Sequence, residues 1–228
     1  MKRITGIRPT GRLHIGHYFS VIKPAIEYDV DVLIADYHAP DKTYQDVFRF
    51  DQQLMKIGID KLKILVQSNI FNSGLYFQLL NLASAGELNR MTQYKSSKEK
   101  TAHLFVYPVL MAHDIAGYDE VYVGDDQEQH IEFVRTLLKK AGLKCPEAKI
   151  VGGRVMNLRH PEKKMSKSEP NGCLFLDEDP TKKIMKAVTD ESGLKNLHFL
   201  YKEFVGGKPP SSNEEMKKKL IEGIKENV

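Results

Sequence analysis

Three short constellations combine residue types that handle phosphate, charge and an aromatic ring. The first, Pro9 to His17 (PTGRLHIGH), lies between a strand-like and a helix-like segment. A helix start offers free backbone N–H groups and a positive dipole end, a setting that favours phosphate. Gly11 and Gly16 allow close approach, while His14 and His17, one turn apart, reach the same anion and stabilise charge developing on an α-phosphate. The bland alternative is a glycine-bearing turn with two surface histidines. The second, Lys164 to Ser168 (KMSKS), is a polar loop whose two lysines neutralise the β- and γ-phosphates of a nucleotide; without a nucleotide they are simply solvated. The third is Tyr107, Met111 and Asp114, spaced i, i+4 and i+7 and so on one face if the segment is helical. A phenol, a thioether and a carboxylate suit an aromatic ligand whose polar handle donates to Asp114. The competing reading is an ordinary packing stripe that also includes Leu110.

The elements that must position these groups follow from hydrophobic period. Arg3 to Ile7 reads as a strand, Arg8 to Gly11 as a turn and His14 to Tyr28 as a helix. Asp31 to Ala35 and Leu62 to Val66 are strand-length apolar runs, separated by a helix-period stretch in Phe48, Leu54, Met55 and Ile57. Residues 73–117 are mainly helical, Asp119 to Val123 is a strand, and Ile131, Val134, Leu137 and Leu138 mark the next helix. Past Lys149 come another strand, a basic loop (Arg154, Arg159, Lys163, Lys164, Lys167) and helical patterns over 182–188, 194–204 and 214–224, with Ser212 and Glu215 as a capping box. The expected fold is α/β: a Rossmann-type doubly wound parallel sheet with a helical insertion at about 73–117, forming a catalytic domain over 1–172, and a reduced helical C-terminal region over 173–228.

Composition sets bounds. The 228 residues are 41% hydrophobic, enough for one sizeable core and a smaller appendage. Two cysteines, Cys145 and Cys173, are too few for a disulfide framework, and no Cys or His cluster has zinc spacing, so no metal site is expected. The formal charge of +4 permits an RNA partner without demanding one. No apolar run approaches the roughly twenty residues of a membrane span, and the opening Met1-Lys2-Arg3-Ile4 lacks a signal-peptide core, so the expectation is a cytoplasmic protein with no membrane partner.

His14 to His17 and Lys164 to Ser168, in that order and at about this separation, resemble the signature pair of the class I aminoacyl-tRNA synthetases. Tyr107 to Asp114 (YPVLMAHD) is similar to the tryptophan-site helix of the tryptophanyl members, in which the Asp receives the indole N–H; tyrosyl relatives usually carry glutamine where Met111 stands. Thr5 to Gly11, Gly86 to Lys95, Gly124 to His130 and Lys164 to Asn171 agree with the same branch.

The resemblance implies two-step tryptophan–tRNA ligase chemistry with ATP and Mg2+, L-tryptophan and tRNA(Trp), in a homodimer. It assigns catalysis to His14, His17, Lys164 and Lys167. ATP binding falls to Arg8, Pro9, Thr10, Gly16, His17, Gly124, Asp125, Asp126, Val155, Lys164, Met165, Ser166, Lys167 and Ser168. Substrate binding falls to Tyr107, Met111, Asp114 and Gln127, with Asp126 on the ribose and Gln127 on the substrate amino group. Apart from the resemblance, Asp125 and Asp126 read as acids capping the next helix.

Some features depart from the family pattern. The segment between Lys95 and Tyr107 is short, leaving open which of Lys95, Lys98 and Lys100 meets phosphate. Sixty residues follow Ser168, about half the family's usual complement, so a compressed or cut anticodon-reading region is expected. Lys217, Lys218 and Lys219 are candidates for holding RNA phosphates, on what is otherwise a solvated helix face. A tyrosyl-type enzyme and a regulatory paralogue that binds amino acid or RNA are the alternatives.

Overall fold

Short apolar runs flanked by turns build the sheet. The computed structural model describes residues 1–39, 41, 44–56 and 63–228, with the side chains of Tyr44, Gln45, Phe48 and Lys56 left aside. The expected contributions of Ile57, Leu62 and the Phe48 side chain therefore lie outside what is described. Among the described residues, β1 (Arg3–Ile7), β2 (Asp31–Ile34), β3 (Ile64–Val66), β4 (Glu120–Val123) and β5 (Glu147–Ile150) form a parallel sheet in the order β3-β2-β1-β4-β5. Ile4 pairs with Asp31 on one side and Val121 on the other, so the order reverses at β1. Ligands of doubly wound sheets bind where the order reverses, outside the carboxyl ends of the strands.

The expected first helix is interrupted. It consists of α1 (Ile15–His17), a π-helical turn over Tyr18–Ile22 and α2 (Lys23–Tyr28). Pro24 lacks the N–H needed to continue the α ladder, and a wider turn precedes it. Next come α3 (Tyr44–Lys56) and α4 (Gln67–Ile70), and then, within the 73–117 stretch expected to be a helical insertion, α5 (Ser73–Leu82), α6 (Ala85–Arg90), α7 (Thr92–Ser96) and α8 (Ala102–Ile115). Helix α9 (Glu128–Lys140) buries Ile131, Val134, Leu137 and Leu138, the stripe its sequence shows. The last three helices are α10 (Thr181–Met185), α11 (Glu191–Phe204) and α12 (Asn213–Asn227), the last capped by Ser212, which accepts the Glu215 N–H. Among the described residues, no helix is long and apolar enough to cross a membrane.

The chain divides into two compact units, one of Met1–Thr10 with Ser20–Gly152, the other of Gly11–Phe19 with Gly153–Val228. The boundary thus differs from the expected 172/173. Its cause is backbone pairing: Ile15 donates to the Leu174 carbonyl at 2.9 Å and Leu176 to the Leu13 carbonyl at 3.0 Å, which binds the first constellation into the second unit. That unit's core gathers Ile15, Phe19, Leu158, Leu174, Leu200 and Leu220; the first unit's core includes Ile4, Leu33, Val109, Val121, Val134 and Leu138.

The three lysines of α12 part company. Lys217 is buried and donates to the carbonyls of Met185 and Ala187 at 3.1 and 2.8 Å, satisfying acceptors at the end of α10. Its expected role on RNA phosphates is thereby overturned. Lys218 and Lys219 are exposed and pair with Glu214 and Glu215 one turn earlier.

Candidate active site

In the second unit the two histidines cap each other's turn. His14 Nδ1 accepts the Gly16 N–H at 3.0 Å, and the His14 N–H is donated to His17 Nδ1 at 3.1 Å. Both Nδ1 atoms are acceptors, so in each neutral ring the hydrogen sits on Nε2. The rings lie 3.9 Å apart between centroids. Gly16 makes the fold-back possible, since a Cβ there would stand 2.7 Å from His14 Cε1. The backbone N–H groups expected to receive phosphate are engaged internally: Ile15 bonds Leu174, while His17 and Tyr18 bond the His14 carbonyl. The polar surface this turn offers is therefore imidazole N–H. Burial, with Lys167 and Lys164 adding to it, pushes His14 down to about 4, so it is a neutral donor at pH 7.

The same dependence shows that the structure brings Lys164 and Lys167 into the field of His14. Their loop is anchored on both sides. The Met165 N–H is donated to the Val155 carbonyl at 2.9 Å, and the side chains of both residues are core, so Val155 and Met165 hold the loop from beneath. Ser166 and Ser168 share a hydroxyl–hydroxyl bond of 2.9 Å. Asn157, buried, accepts from the N–H groups of Arg159 and His160 and donates to Glu169, which also pairs with Lys163. Lys164 is exposed and Lys167 half-buried.

In the first unit, α8 carries Tyr107, Met111 and Asp114 as the spacing requires, with the carboxylate of Asp114 buried. Gln67 Nε2 approaches both its oxygens, at 2.7 and 2.8 Å. His38 Nε2 lies 2.9 Å from Oδ2 and His113 Nδ1 lies 3.1 Å from Oδ1. Buried polar groups demand partners, and this carboxylate has three. The Gln67 carbonyl oxygen accepts the Tyr37 N–H at 2.9 Å, which orients the amide.

Tyr107 is wedged between two imidazoles, its ring 4.2 Å from that of His38 and 5.6 Å from that of His130. Burial pushes its phenol up, Arg8 pulls it down, and Asp114 and Asp126 raise it further, which places Arg8 and Asp126 within electrostatic reach of the α8 face. His130 Nε2 donates to Gln93 Oε1 at 3.0 Å, and the Thr92 N–H is donated to Gln129 Oε1 at 2.8 Å, so Gly86 to Lys95 and Gly124 to His130 are sewn together. The Nδ1 atoms of His38 and His130 are buried without a hydrogen-bond partner. After β4, Gly124 lets Asp126 fold back, since a Cβ would lie 2.7 Å from its Oδ1, and the Gln127 amide donates to Asp126 at 3.0 Å. Asp125 and Asp126 are exposed, Pro9 is buried and Thr10 half-buried, its N–H donated to the Arg8 carbonyl.

Sequence reasoning missed His38, Gln67, His113 and His130. A signal existed for two of them: His38 closes the turn after β2 and Gln67 follows β3 directly, both at carboxyl ends of parallel strands where ligands gather.

Residues 1–227 match the family described as tRNA synthetases class I (W and Y). The tryptophan–tRNA ligase of Caldanaerobacter subterraneus is 35% identical over 250 residues, covering 90% of this chain and 76% of that protein. Among solved structures, tryptophanyl-tRNA synthetase from Mycoplasma pneumoniae has a TM-score of 0.82 at 28% identity, covering 98% of this chain and 84% of the other. The Campylobacter jejuni tryptophanyl-tRNA synthetase, complexed with ADP and tryptophan, has a TM-score of 0.76 at 28% identity, covering 99% and 85%. With the paired histidines, the lysine loop and the α8 carboxylate in place, the chain belongs to the tryptophanyl and tyrosyl family of class I aminoacyl-tRNA synthetases.

Proposed function

We propose that this chain is a tryptophan–tRNA ligase, activating L-tryptophan with ATP and passing it to tRNA(Trp). The observation that carries this reading is the buried Asp114 carboxylate beside Met111 and Tyr107 on α8. An apolar bicycle with a single N–H donor fits a thioether, a phenol ring and a carboxylate acceptor. Gln67, within reach of both oxygens, can yield one to the indole N–H and keep the other. Gln127 is assigned the α-amino group and Asp126 the ribose.

In the first step a tryptophan carboxylate oxygen attacks the α-phosphorus, the bond to the β-phosphate oxygen breaks and pyrophosphate leaves. Lys164 and Lys167 neutralise the departing charge, and His14 and His17 donate from Nε2 to the α-phosphate oxygens as charge builds. The terminal ribose hydroxyl of the tRNA then attacks the activated carbonyl and AMP leaves. Magnesium enters with the triphosphate as part of the substrate. Arg8, Pro9, Thr10, Gly16, Gly124, Asp125, Val155, Met165, Ser166 and Ser168 are the remaining residues proposed for the nucleotide, in a cytoplasmic homodimer.

Amino-acid-dependent pyrophosphate exchange with all twenty amino acids tests this. Tryptophan should exceed tyrosine by at least about a thousandfold, since a site built around one hydrogen-bonding handle rejects a mismatched one strongly. Equal exchange with tyrosine overturns the assignment. Tryptophan binding without exchange would instead mark a regulatory paralogue. The chain contains no tryptophan, so binding is visible in the ligand's own fluorescence.

A further inference from the structure

His113 is next to Asp114 in sequence, is buried, and is assigned no role by the mechanism above. Its Nε2 accepts the backbone N–H of Asn72 at 3.0 Å. A backbone N–H can only donate, so Nε2 of the neutral ring is bare and the hydrogen is on Nδ1. That Nδ1–H points to Asp114 Oδ1 at 3.1 Å. Asn72 is itself fixed as the cap of α5, its side-chain oxygen accepting the Leu75 N–H at 3.0 Å, and Phe71 packs on the imidazole with centroids 4.6 Å apart. A chain of defined donors thus runs from the start of α5 through one ring to the carboxylate.

We propose that His113 is a positioning residue for substrate recognition: held as the Nδ1–H tautomer by Asn72, it fixes the rotation of the Asp114 carboxylate and so the direction in which Asp114 accepts the ring N–H of an aromatic amino acid. The proposal rests on the reading that Asp114 receives the indole N–H. Gln67 and His38 hold the carboxylate from residues remote in sequence; His113 is the donor from α8 itself. Loss of its donor frees the carboxylate to turn without emptying the site of charge.

The test compares His113→Asn with His113→Gln in pyrophosphate exchange, using tryptophan and its benzothiophene analogue, which lacks the N–H. The Asn amide nitrogen stands near the place of Nδ1 and keeps the donor to Asp114; the Gln nitrogen reaches toward the Nε2 position and does not. His113→Gln should raise the KM for tryptophan by about five- to twentyfold, the loss of one buried hydrogen bond, with kcat and the KM for ATP within about twofold. His113→Asn should recover most of the tryptophan KM, and the analogue's KM should barely move in either variant. Equal effects of Asn and Gln, or equal weakening of tryptophan and the analogue, overturn the positioning role while the wild-type assignment stands. Failure of the wild type to exchange with tryptophan overturns both.

Discussion

A Cβ on Gly172 would lie 1.7 Å from Oδ1 of Asn157. That oxygen is already committed to two N–H groups, at 2.8 and 3.0 Å, in the turn that leads into the lysine loop. Gly172→Ala must therefore push Asn157 out of a buried, fully bonded position. Unfolding free energy should fall by about 2 to 4 kcal/mol, as for other losses of a buried polar network. In an Asn157→Ala background the same change should cost less than about half as much, because the clashing oxygen is gone. Denaturant melts of the four proteins decide it; additive costs would mean the two residues do not meet.

Lys164→Ala and Lys167→Ala should each slow activation by about two to three orders of magnitude and leave tryptophan affinity nearly unchanged, since charge stabilisation of this kind acts mainly in the transition state. Tryptophan isotherms without ATP, set beside exchange rates, separate the two effects. A matching loss of tryptophan affinity would contradict the role given to the loop.

His14 predicts a pH dependence with a definite sign. Its folded value of about 4 lies below the ordinary 6.5, so between these values the unfolded chain binds a proton that the folded one refuses. Stability from this group is complete above pH 6.5 and drains away as pH falls toward 4. From pH 7.5 to 5 the loss should be about 2 kcal/mol. His14→Gln, compared with wild type at both pH values, should remove that increment. An unchanged slope would mean the imidazole is protonated in the folded protein.

How far the sequence foretold this site depends on how local each contact is. Tyr107, Met111 and Asp114 share a face because helical period alone puts them there. The ring of donors around Asp114 comes from residues 76, 47 and one position away, and no periodicity links the distant two. The boundary of the second unit was hidden for the same reason, since residues 11–19 belong there only through their pairing with 174–176. Lys217 was legible in part: Met216, Leu220, Ile221 and Ile224 mark the buried stripe of α12, and position 217 stands on its edge at i−3, i−4 and i−7 from the last three.

Lys217→Met should therefore act on folding. The carbonyls of Met185 and Ala187 would lose their donor, costing about 2 kcal/mol, whereas Lys218→Met and Lys219→Met, each removing an exposed pair, should leave the denaturant midpoint unchanged. Filter binding of tRNA against salt concentration should give Lys217→Met and wild type the same slope. A shallower slope would restore Lys217 to the RNA surface.

The second unit is discontinuous along the chain, and this has a consequence during synthesis. The imidazoles of residues 11–19 leave the ribosome early, but the partners that shape them begin at Gly153. At roughly 5–20 residues per second, translating the intervening stretch takes on the order of ten seconds. Over that interval every segment of the first unit becomes available, whereas His14 and His17 have neither the 174–176 backbone nor the lysine loop. Vectorial synthesis thus supplies every segment of the unit proposed to hold the amino acid before the last segments of the unit proposed to handle phosphate, so on that reading a nascent chain can gather around α8 before it is able to spend ATP.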